Sequence, residues 1–112
     1  MRFRTNKIFE KNKQGKQGIG LGLVYPSAEA IEIIGMLGSF DFVHLDGEHG
    51  AFNPVAVDDI VAVAHAFGMS VTARVPNINA NEINRWLDRG LQGIMGPHIE
   101  NAEEAQGLAN AC

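Results

Sequence analysis

The sequence predicts an α/β fold: four strand–helix units with parallel strands, forming the N-terminal half of a (β/α)8 TIM barrel. Three observations predict it. Short apolar runs alternate with helical patterns at intervals of about 22 to 28 residues, and such regular alternation calls for parallel strands joined by right-handed crossovers. The runs end in polar side chains: Asp46, Glu48 and His49 after the second, Arg74 after the third and His98 after the fourth. In parallel α/β folds the carboxyl ends of the strands are where ligands sit. Finally, the chain has 112 residues, whereas a complete barrel typically needs about 250.

Residues 1–17 hold six of the nine basic residues, with Phe3, Ile8 and Phe9 among them. They are expected to form a short amphipathic helix around Thr5 to Lys13, a solvated cap ahead of a half barrel spanning residues 18–112. Gly18 to Val24 reads as the first strand, with glycine at every second position. The spacing does not match a dinucleotide loop, and small residues on one strand face instead make room for a ligand or a close backbone. Ser27 is a helix N-cap, Ile31 and Ile34 recur at helical spacing, and Gly38 stops the helix.

The second strand lies in Phe40-Asp41-Phe42-Val43-His44-Leu45, followed by Asp46-Gly47-Glu48-His49-Gly50, where the two glycines read as flexible spacers. Asn53-Pro54 starts the next helix, with Val57, Ile60, Val61 and Ala64 as its apolar stripe and Gly68 closing it. His65 on that helix reads as a surface residue. Ser70 to Pro76 is the third strand. Asn79 with Glu82 has the form of a capping box ahead of Ile83, Trp86 and Leu87, and Gly90 ends that helix. Leu91 to Met95 is the fourth strand, delivering Gly96-Pro97-His98 to its end. Asn101 with Glu104 repeats the capping pattern, and Ala102, Ala105, Leu108 and Ala109 continue helically to Cys112.

Composition excludes several classes. Hydrophobic residues make up 46 % of the chain, enough for a packed core. A net charge of -4 with no basic patch argues against nucleic acid as partner. No run of about 18 apolar residues exists, so no membrane span is expected. The start is too polar for a signal peptide, and the single cysteine, Cys112, allows no intrachain disulfide. A cytoplasmic location is expected.

Four stretches together resemble the HpcH/HpaI aldolase family, the metal-dependent class II pyruvate aldolases. They are Phe40-Asp41-Phe42 leading into Asp46-Gly47-Glu48-His49, then Ala73-Arg74-Val75-Pro76, Trp86-Leu87-Asp88-Arg89-Gly90, and Gly93-Ile94-Met95-Gly96-Pro97-His98. The resemblance covers residues 18–112 and implies the N-terminal half of a family member. It implies carbon–carbon lyase chemistry, cleavage of a 4-hydroxy-2-oxo acid to pyruvate and an aldehyde and the reverse addition. On this resemblance His49 matches the base, Arg74 the arginine that contacts the keto acid and steadies the enolate, and Asp46 an aspartate at the metal-water shell. Glu48 supports as a hydrogen-bond acceptor, and Asp88 matches a carboxylate partnered with the histidine.

The family's divalent ion (Mg2+, Mn2+ or Co2+) is implied to rest on a glutamate and an aspartate after Cys112, with no metal ligand in this chain. The parent is implied to be a homo-oligomer, hexamer-like, with small 2-oxo acids and aldehydes as substrates. Asp88 falls near the end of a helix, at the barrel face opposite the strand ends, so it is expected to act across a subunit interface or to be structural. A zinc set of His44, Glu48 and His49 is disfavoured, because strand alternation sends the two histidines to different places.

The plain alternatives are a turn-stabilising Asp46, a rim His49 or His98, and an Arg74 that merely pairs with Asp46. For the whole chain they are a non-catalytic half barrel that associates with a partner or itself, and a lyase acting on acyl-CoA thioesters. The 112 residues alone are expected to be inactive.

Overall fold

Residues 4–112 are described by a computed structural model, with Pro54 described through its backbone alone. Met1 to Phe3, including the apolar Phe3 of the basic segment, lie outside the described residues. The elements are α1 (Lys7–Lys13), β1 (Gly20–Leu23), α2 (Ala28–Leu37), β2 (Phe42–Asp46), α3 (Pro54–Ala66), β3 (Ser70–Arg74), α4 (Ala80–Leu87), β4 (Gly93–Met95) and α5 (Ala102–Ala111). The four strands form one parallel sheet in the order β1-β2-β3-β4. The fold is the four-unit parallel arrangement that the sequence predicts.

Alternation along the strands divides the sheet. Val43, Leu45, Val71 and Ala73 are fully buried and face the helices, where they meet Ile31, Ile60 and Ile83. The residues between them, Phe42, His44, Asp46, Thr72 and Arg74, are only half-buried and share the other face. That second face carries the chemistry. Its residues align in register, His44 beside Thr72 and Asp46 beside Arg74.

Local chemistry sets the helix ends. Ser27, Asn53 and Asn101 each accept a hydrogen bond from a first-turn N–H, from Ala30, Ala56 and Glu104 respectively. Gly38 closes α2 in the left-handed conformation that the sequence assigns to it (φ 66°). The expected box at Asn79 does not form. Its N–H donates to Asn77 Oδ1 at 2.9 Å, while Glu82 accepts from the Trp86 indole at 2.9 Å and from Arg85 at 3.1 Å. The helical run over Ala102, Ala105, Leu108 and Ala109 forms as α5, in which Ala102, Ala105 and Ala109 are exposed and Leu108 and Ala111 pack on the core. α5 packs chiefly on α4 at the edge of the sheet, where β4 has one neighbour, so the helix has less surface to cover.

The basic segment lies at the amino ends of the strands. Lys7 N–H donates to Ser70 Oγ at 2.8 Å, Asn6 donates to the Gln92 carbonyl at 2.9 Å, and Lys11 pairs with Asp41 at 3.3 Å. Asp41 also accepts from Ile19 N–H at 2.9 Å. That backbone bond, with help from Lys11, holds its carboxyl below the usual range. No helix among the described residues is long and apolar enough to cross a membrane.

Candidate active site at the carboxyl rim

Asp46 and Arg74 are the last residues of adjacent strands and point into the same space. Arg74 donates Nε to Asp46 Oδ1 at 3.0 Å and Nη2 to Oδ2 at 2.5 Å, a two-pronged pairing of planar groups. Asp46 Oδ1 also accepts the backbone N–H groups of Glu48 at 3.2 Å and His49 at 3.0 Å. Arg74 and then the His49 N–H hold the Asp46 carboxyl well below its ordinary range. The aspartate therefore orders the following turn and fixes the guanidinium together. Both plain alternatives, turn stabilisation and Arg74 pairing, are present in the geometry.

Gly47 and Gly50 are not spacers, as the sequence suggested, but sites of close packing. A Cβ at Gly47 would lie 2.6 Å from the Trp86 ring and 2.7 Å from the Arg74 carbonyl, and one at Gly50 would lie 2.8 Å from the Val24 carbonyl. Gly47 N–H donates to Arg74 O, and Ala51 N–H to Val24 O, both at 2.8 Å. The loop after β2 is thus pinned to the ends of β3 and β1.

Beside the pair is an open hollow of about 350 Å³, lined by Gly22, Leu23, Val24, His44, Asp46, Arg74 and Met95. The imidazole in its wall is His44, not His49. His44 Nδ1 lies 2.8 Å from Thr72 Oγ1, and burial pushes its pKa down, with Asp46 opposing. Sequence reasoning gave His44 no role in catalysis. The signal was available: in β2 it alternates with Phe42 and Asp46, so it shares their face.

His49 sits just outside this wall with its side chain 65 % exposed and its Nε2 3.5 Å from Glu48 Oε2. Glu48 is the hub of the outer group. Its Oε1 lies 2.5 Å from His98 Nε2, and its Oε2 lies 3.3 Å from Arg74 Nη1. The His98 contact was not legible in the sequence, because β3 separates the strands that carry the two residues. Asp88 is exposed at the carboxyl end of α4. Helices in such units run antiparallel to the strands, so this position lies toward the opposite end of the sheet from His49, and among the described residues no hydrogen bond or ion pair joins the two.

A hard divalent cation needs several oxygen ligands. Asp46 has both oxygens engaged, and the carboxylate left over, Glu48, stands among imidazoles. The residues present do not fit a magnesium-type site. The zinc set His44–Glu48–His49 does not assemble either, since His44 is turned to Thr72.

No protein-family model matches the chain. Among curated proteins it is 31 % identical over 111 residues to the pyruvate aldolase of Rhizobium etli, covering 99 % of this chain and 43 % of that protein. Other curated relatives bear the names of 4-hydroxy-2-oxo acid aldolases. The structure superposes on an HpcH/HpaI aldolase from Desulfitobacterium hafniense with a TM-score of 0.81 at 29 % identity, over 93 % of this chain and 40 % of that one. It superposes on the citrate synthase SbnG with a TM-score of 0.84 at 27 % identity, over 93 % and 42 %. The chain spans about two-fifths of the length of the proteins it matches.

Proposed function

We propose, from the premise that this chain belongs to the HpcH/HpaI-type aldolases, that it supplies the base and the enolate-holding arginine of a pyruvate aldolase. The observation that carries the reading is the guanidinium of Arg74, fixed by Asp46 at the rim of a hollow large enough to admit a small oxo acid. In cleavage, His49 takes the proton from the C4 hydroxyl of a 4-hydroxy-2-oxo acid. The C4–O electrons form the aldehyde carbonyl, the C3–C4 bond breaks, and its electron pair enters the 2-oxo group as the enolate of pyruvate. Arg74 faces that growing negative charge with the guanidinium edge that Asp46 does not occupy, whose Nη1 stands 3.3 Å from Glu48 Oε2. Protonation at C3 then gives pyruvate, and the reverse sequence is aldol addition.

His49 is exposed enough to turn toward the hollow, and Glu48 beside it accepts from the imidazolium once the proton is taken. Asp88 serves a neighbouring subunit of a homo-oligomer, hexamer-like in the family, rather than its own His49. The family's divalent ion, Mg2+, Mn2+ or Co2+, would polarise the 2-oxo group when bound. Its ligands would come from strands outside these 112 residues, because the carboxylates here do not provide them. The cytoplasm is the proposed setting.

The four-stranded sheet leaves β1 and β4 with one neighbour each, so catalysis is proposed to require the strands that complete the barrel. The test is release of pyruvate from a 4-hydroxy-2-oxo acid with added Mn2+, for the chain alone and for the chain joined to the remaining strands of the Rhizobium etli relative. Turnover is expected in the joined protein only, and loss of it in His49→Ala and Arg74→Lys. Activity unchanged by both substitutions would refute the assignment. A second reading, a lyase that joins a thioester-derived enolate to a 2-oxo acid, is favoured by the likeness to a citrate synthase. Acyl-CoA consumption by the joined protein when an acyl-CoA and a 2-oxo acid are supplied instead would select it.

A further inference from the structure

We propose that Glu48, His49 and His98 form a binding site for a divalent ion of the zinc class, separate from any hard-cation site of the aldol reaction. One carboxylate oxygen and two imidazole nitrogens from these residues lie within 4.8 Å of one another. A tetrahedral ion with ligand distances of 2.0 to 2.2 Å holds its donors roughly 3.3 Å apart. Small rotations bring the three to that spacing. Both histidines can make them: their side chains are 65 % and 73 % exposed and hold no place in the core.

The charges favour a cation here. Arg74 carries one positive charge between two carboxylates, Asp46 on two hydrogen bonds and Glu48 at 3.3 Å, so one negative charge is left over. Glu48 Oε2 is buried and accepts no hydrogen bond. Its contacts are the longer ion pairs to Arg74 Nη1 and, at 3.5 Å, His49 Nε2, and a metal ion would bind this oxygen more closely than either. Two nitrogens with one oxygen select zinc, cobalt or nickel over magnesium or calcium. Two imidazoles and a carboxylate leave a fourth position for water, as in zinc sites with three protein ligands. Such an ion would tie the loop after β2 to the loop after β4. It would also occupy the His49 lone pair, so the ion would inhibit the base rather than serve it.

The experiment is calorimetric titration of the 112-residue chain with Zn2+, in a Cys112→Ser background because that thiol is exposed. One ion per chain is expected, with a dissociation constant tighter than about 0.1 mM. His98→Ala and His49→Ala should each weaken it about tenfold or more, and the visible spectrum of the Co2+ form should be that of a four-coordinate ion. His44→Ala should leave binding unchanged. Absence of binding in that range, equal binding by His98→Ala, or a tenfold loss in His44→Ala would each overturn the site. Binding is read without turnover, so failure here is distinct from failure of the aldolase reading.

Discussion

The two faces of the sheet are built from alternate residues of the same strands and have opposite physics. Toward the helices stand Val43, Leu45, Val71 and Ala73, all fully buried. Toward the other side stand His44, Asp46, Thr72 and Arg74, half-buried and joined by hydrogen bonds across the strands. A shift of one residue in register would exchange the two sets. The apolar face therefore fixes the register that brings Asp46 beside Arg74. Stability is concentrated on one face and chemistry on the other, and substitutions should separate them.

The largest effect on folding belongs to the apolar face. Leu45→Ala removes a fully buried side chain and should cost about 2–5 kcal/mol, read from urea unfolding. A cost under about 1 kcal/mol would mean that the helices do not rest on this face as described. Arg74→Lys should do the reverse. In the joined barrel it should lower kcat by about 10²-fold or more, because lysine cannot reproduce the two-pronged fit, while unfolding shifts far less than for Leu45→Ala.

A pH profile sharpens the contrast. The Asp46 pKa is lower folded than unfolded, so its contribution is complete above the unfolded value of about 3.9 and is lost as pH falls through the folded value. Asp46→Asn should flatten the acid side of the stability curve, leaving a residual slope from Asp41, whose shift has the same sign. An unchanged profile would break the link. The smallest effect is expected at His49→Ala: unfolding within about 0.5 kcal/mol of the original, since the imidazole is exposed.

Much of this was legible in the sequence, because four strand–helix units and three of four side-chain caps follow from local spacing. The Asp46–Arg74 pairing was also within reach, since both end neighbouring strands. What was hidden depends on distance through the fold. Gly47 read as a spacer because Trp86, which presses on it, lies on a helix far along the chain. Asn79 read as a cap because nothing in its spacing shows that Asn77 takes its N–H. Glu48 and His98 meet across an intervening strand, which no sequence period encodes.

The central claim is that Arg74 holds a small oxo acid at the rim. It is tested most directly by titrating the ¹⁵N-labelled chain with pyruvate and following the arginine Nε signals. The Arg74 signal should move saturably, while that of Arg85, exposed on α4, stays in place. An unmoved Arg74 signal, or equal movement of both, would contradict the account.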